Sequence, residues 1–112
     1  MESSTKAHID ITAGKNFWQW FSDNEEWIKA NLYDKSSNVM DSIDEKLIPV
    51  FPYFKKELSF QLGYKPDMGV FYFYCFHDNQ LKNDAEILKD LMPENLANFW
   101  SFKLKGYQLK TN

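Results

Sequence analysis

Arginine is absent from this chain: all thirteen basic residues are lysine. Arginine supplies the planar fork that grips phosphates, guanines and carboxylates through paired hydrogen bonds. Its absence argues against a phosphate- or base-reading site. The net charge of -3 argues further against nucleic acid and anionic membrane as partners. Cysteine is nearly absent too. A single residue, Cys75, allows no intrachain disulfide, which excludes a disulfide-stapled secreted scaffold. Long apolar runs are missing: the longest, Val70 to Phe76, has the length of a strand and not of a membrane helix. The N-terminal stretch MESSTKAHIDITAGK has no apolar h-region and does not read as a secretory leader. The expected location is the cytoplasm. The stretch "AGKN" at 13–16 lacks the first glycine and the final hydroxyl of a phosphate-binding loop.

Aromatic residues, in contrast, are abundant, at 18% of a 112-residue chain. That length predicts one domain, which buries roughly two-thirds of its unfolded surface. Phe, Tyr and Trp bury about 150–250 Å² each, so a few of them fill a small core. The bias toward Lys, Asn, Phe and Tyr reads as an AT-rich bacterial genome.

Two periods organise the chain. Phe17, Trp20, Phe21, Asn24, Ile28 and Leu32 form a stripe at helical spacing, with Asn16 and Gln19 placed as a capping box. This predicts a helix over 16–33. Residues 1–15 read as a flexible arm or a short strand, since Ile9 and Ile11 alternate with polar residues. Val39, Met40, Ile43 and Leu47 predict a second helix over 37–48, stopped by Pro49 and Pro52. The period then becomes two. Leu58, Phe60 and Leu62 predict a strand, Gly63 to Gly69 a turn, and "VFYFYCFH" at 70–77 a central strand covered on both faces. Leu81, Ala85, Leu88 and Met92 predict a third helix that begins at Asp78 or Asn79 and ends at Pro93. "FWSFKLK" is the last strand, with Trp100, Phe102 and Leu104 on one face. The predicted class is α+β, a single domain over 16–112 in the order α-α-β-β-α-β: a small three-stranded sheet containing a β-hairpin, packed with three helices. The third strand lies either beside the second or beside the first.

"NFWQWFSDNEEW", "DEKLIPVFPYFKKELSFQLG" and "FWSFKL" resemble a family of small uncharacterised bacterial cytosolic proteins with an N-terminal FWxWF acidic helix and a SFxLG strand. The resemblance spans about 16–105 and implies no known activity. The basic-aromatic strand typical of that family here carries lysines only, in "FKLK".

Four groups of residues bear on function. Cys75, His77 and Asp78 are the catalytic candidates. Residues i and i+2 of a strand share a face, about 6–7 Å apart, so a thiol and an imidazole could pair there. That reading predicts a pocket at the C-terminal end of the strand and a thiol pKa below the free value. Cys75 equally fits a buried strand cysteine. The same three residues, with His8, lack the spacing of a closed zinc site, so no metal or cofactor is expected. The carboxylates Asp23, Glu25, Glu26, Asp41, Asp44 and Glu45 read as a solvated acidic face, not an acid–base pair. Trp18 and Trp27 sit at the two edges of the first helical stripe. With Glu25 and Glu26 they form the candidate partner-binding set, should either tryptophan stand exposed.

Residues 22–46 hold seven acids against three lysines, and residues 99–112 hold three lysines and no acid. The predicted function is therefore a non-enzymatic protein-interaction or regulatory module, with a basic protein as its partner. The alternative is a small enzyme or ligand-binding domain using Cys75 and His77. A weak homodimer is also predicted, either edge to edge through 99–105 or through the Trp18/Trp27 side of the first helix.

Overall fold

The aromatic helix begins before its tryptophans do. In the computed structural model, which describes residues 9–65 and 68–106, Asp10 is the N-cap of α1 (Ile11–Asp23). Its Oδ1 accepts the Ala13 N–H at 3.0 Å, satisfying one of the orphan donors of the first turn. Residues 11–15 are thus helical, not an arm or a strand: two alternating isoleucines are too short a signal to compete with a cap. Residues 1–8 lie outside the described ones.

The helix predicted over 16–33 is two helices. Asn24 folds its side chain back and donates to the Trp20 carbonyl at 2.8 Å, a local bond that competes with the helix ladder. α2 (Glu25–Asn31) restarts beyond it. Ile28 and Leu32 still reach the core, as does the Val39–Ile43–Leu47 stripe of α3 (Ser36–Leu47). A 3-10 turn over Ile48–Val50 carries Pro49 and closes this helical half.

β1 (Ser59–Lys65) pairs antiparallel with β2 (Met68–Tyr74), and Lys65 stands opposite Met68. α4 (Asn79–Asp90) starts at Asp78, whose Oδ1 accepts the Leu81 N–H at 3.0 Å. Between the predicted third helix and the last strand, the "PENLAN" stretch holds a further one-turn helix, α5 (Glu94–Ala97), which buries Leu96. The chain then returns as β3 (Trp100–Lys105), parallel to β2. The order is β1-β2-β3, so the third strand lies beside the second. Among the described residues the result is an α+β fold of five helices and a mixed three-stranded sheet.

One sheet face carries the core. Phe71 meets Phe17, Trp18 and Phe21 of α1, with ring centroids 6.2 to 6.4 Å apart. Phe21 stands edge-on to Trp100 at 5.0 Å. The aromatic load is therefore mostly core. Gly69 is required by a close approach, because a Cβ there would lie 2.5 Å from the Trp100 ring. The gap at this central-strand position lets Tyr64 of β1 and Trp100 of β3 meet across β2, at 5.9 Å.

The expectation that β2 is covered on both faces is corrected. Val70, Tyr72 and Ser101 on the opposite face are half-exposed, and Lys103 and Lys105 are exposed. Tyr72 lies under the Lys105 ammonium, at 5.3 Å, and the Tyr74 hydroxyl donates to Gln61 at 2.8 Å. On that face Val70 and Tyr72 pack the pleated surface without full burial, and Tyr74 at the end of the strand is buried.

Candidate functional site

β2 stops at Tyr74, and the next four residues form a tight turn. Phe76 and His77 both have positive φ, 52° and 61°, and the Asp78 N–H donates to the Cys75 carbonyl at 2.8 Å. Two successive residues of positive φ are uncommon outside glycine and asparagine. The turn delivers the chain from the sheet to the capped start of α4. Beyond the strands, Cys75 N–H donates to the Lys105 carbonyl at 2.8 Å and His77 N–H to the Gly106 carbonyl at 3.2 Å. These bonds hold the C-terminal ends of β2 and β3 together.

A pocket of about 220 Å³ opens at those strand ends, lined by Cys75, His77, Asn79, Lys82, Leu104 and Lys105. Its position matches the sequence expectation, but its chemistry does not. Cys75 is buried, and burial pushes its thiol up to about 11. Lys82 opposes that effect, while Asp78 and Glu86 add to it. At neutral pH the thiolate is not the resident form, so the expected lowered thiol pKa is corrected. The shared strand face is corrected as well: the period-two alternation ends at Tyr74, before His77, which stands exposed on the turn. Asp78 commits one carboxylate oxygen to the helix cap. Among the described residues no group of three His, Cys, Asp or Glu side chains is placed to hold a metal ion. His8 lies outside them.

Sequence reasoning missed Asp84 and Tyr53. Asp84 is fully buried in α4, where its Oδ1 accepts from Gln80 at 3.0 Å. Tyr53 faces this carboxylate, and burial together with Asp84 holds its hydroxyl protonated, far above the ordinary value. The signal was present: Asp84 is three residues after Leu81 and four before Leu88, inside the apolar stripe of the helix.

The partner-binding candidates separate into two pairs. Trp18 is 1% exposed, and its indole N–H donates to the Leu88 carbonyl at 2.8 Å. It is a core residue and is withdrawn from the candidate surface, because the arc between α1 and α4 encloses the edge of the stripe. Glu25 is engaged inside the fold: its Oε2 accepts from Trp100 Nε1 at 2.9 Å and pairs with Lys29 Nζ at 3.1 Å. Glu26 is exposed, and Trp27 keeps 38% of its surface in solvent. No protein-family model, no curated protein and no solved structure matches the chain. Among the described residues no helix is long and apolar enough to cross a membrane.

Proposed function

We propose that the chain is a non-enzymatic protein-interaction module whose α2 face, with Glu26 and Trp27, receives a basic partner. The exposure of Trp27 supports this reading. The fold buries Trp18 and Trp100 and covers Trp20 in part, and Trp27 is the most exposed of the four, with 38% of its surface in solvent. A large aromatic beside an exposed carboxylate is the composition of an interface anchor. The raised thiol pKa of Cys75 weighs against the enzymatic alternative.

The experiment is capture by the immobilised protein, at low and at physiological salt, followed by titration of each captured protein against variants. A basic partner bound by the wild type and lost with both Trp27→Ser and Glu26→Lys supports the proposal. A failure to capture any basic protein at either salt concentration, or binding indifferent to both variants, overturns it.

A further inference from the structure

β3 is an edge strand of the sheet among the described residues. In a parallel ladder, the N–H and C=O of one residue serve the same neighbour, and successive residues alternate sides. The Phe99 and Lys105 carbonyls face β2. Trp100, Phe102 and Leu104 therefore turn their main-chain groups outward. No backbone bond from a loop or helix reaches these groups among the described residues. An open groove of about 630 Å³ runs alongside, between β3 and the end of α4 with α5, and Met92, Ala97 and Lys89 are on its wall.

The groove's chemistry selects an occupant. A strand added here inherits the two faces of the sheet. Side chains on its inner face meet Met92, Ala97 and the flanks of Phe102 and Leu104, which are apolar. Those on its outer face lie beside Ser101, Lys103 and Lys105, where β3 contributes no acid. Asp90 is the one acid lining the groove among the described residues, and it sits with Lys89 on the helical wall. A second copy of this chain fits less well. An isologous β3–β3 pair gathers Lys103 and Lys105 of both copies on one face, a like-charge arrangement that destabilises a sheet.

We propose that β3 binds, by strand addition, an extended segment of another protein that alternates apolar and acidic residues. Main-chain bonds to Trp100, Phe102 and Leu104 supply affinity, and Lys103 and Lys105 supply register and charge selection. Trp27→Ser with Glu26→Lys, on the α2 face, is expected to leave this binding unchanged.

The test uses a labelled peptide alternating valine and glutamate over the length of β3, and its valine–lysine counterpart, titrated by fluorescence anisotropy. The glutamate peptide is expected to bind, and the lysine peptide to bind at least about tenfold more weakly. Lys103→Glu with Lys105→Glu is expected to reverse that preference, which shows that the variant is folded. On binding, the Trp100, Phe102 and Leu104 amides gain protection from hydrogen exchange. The proposal is overturned by equal binding of the two peptides, by no binding of either, or by unchanged exchange at the three amides. It is also overturned if those amides are already protected, with a dimer mass in sedimentation, in the peptide-free protein.

Discussion

The two edges of this sheet are finished in opposite ways. At β1, the Tyr33 hydroxyl reaches back from just beyond α2 and serves both main-chain groups of Tyr64. It accepts the N–H at 2.9 Å and donates to the carbonyl at 3.2 Å. Acids flank that edge, with Asp41, Asp44 and Glu57 around the start of the strand. At β3 no such side chain is found among the described residues, and lysines flank the groove. A free strand edge is a pairing site unless something guards it. The contrast is local: one hydroxyl occupies the Tyr64 position of the β1 edge and acids stand near its start, whereas lysines flank β3.

The sharpest way to break the comparison is to remove what joins the edges. Trp100 contacts Tyr64 across Gly69 and donates to Glu25 of α2. Trp100→Ala should cost about 3–5 kcal/mol in chemical denaturation, as large-to-small changes of buried tryptophan do. It should raise amide exchange on both β1 and β3. A loss confined to β3 would show that the edges are energetically separate.

A smaller effect distinguishes the β3 side by pH. The Cys75 thiol has a folded pKa of about 11 against an ordinary 9.0. Its raised value favours the protonated native state. That stability is fully present below pH 9.0 and is lost as the pH rises through about 11. A tenfold difference in proton affinity between the folded and unfolded chain corresponds to about 1.4 kcal/mol. Cys75→Ala should flatten the alkaline fall in the denaturation midpoint relative to wild type, and the wild-type thiol should label only on unfolding. Rapid labelling of the native protein at pH 8 would refute the buried, protonated thiol.

Tyr33→Phe sharpens the β1 side. It removes an exposed hydroxyl with two main-chain partners, a loss of about 0.5–1 kcal/mol. Hydrogen exchange at the Tyr64 amide should accelerate while exchange on β3 stays as in wild type. An unchanged Tyr64 amide would mean that the hydroxyl is no guard.

The smallest effect belongs to Asp44. Burial raises its carboxyl above the ordinary 3.8, and Glu57 and Asp41 push it further the same way. A raised carboxyl contributes stability below pH 3.8 and loses it as the pH rises through its folded value. The ionised group therefore weakens the β1 side at neutral pH. Asp44→Asn should raise the denaturation midpoint slightly at pH 7, and this gain should vanish below pH 3.8. A decrease at pH 7 would show that the carboxylate has a stabilising partner.

Much of the local structure was readable in the residues. The Val39–Ile43–Leu47 stripe predicted α3 to within a residue at either end, and the alternation of Trp100, Phe102 and Leu104 predicted the buried face of β3. Of the two candidate caps, Asp78 and Asn79, Asp78 starts α4. The single-helix reading of 16–33 failed because the Asn24 side-chain bond leaves no trace in hydrophobic period. The candidate site was half readable: its position at the end of β2 follows from the strand, but the state of its thiol depends on what surrounds it.

The sequence by itself determined the element order, the stripes that feed the core and the charge asymmetry, because these depend on the spacing of neighbours along the chain. Only the tertiary structure decided that β3 lies beside β2, that Trp18 is enclosed while Trp27 stays partly exposed, and that the Tyr33 hydroxyl meets the Tyr64 main chain. Each of those outcomes rests on distant pairs: Tyr33 with Tyr64 across 31 residues, Trp18 with Leu88 across 70, Glu25 with Trp100 across 75. Such contacts form only when the packed core brings the segments together, and no local period encodes them.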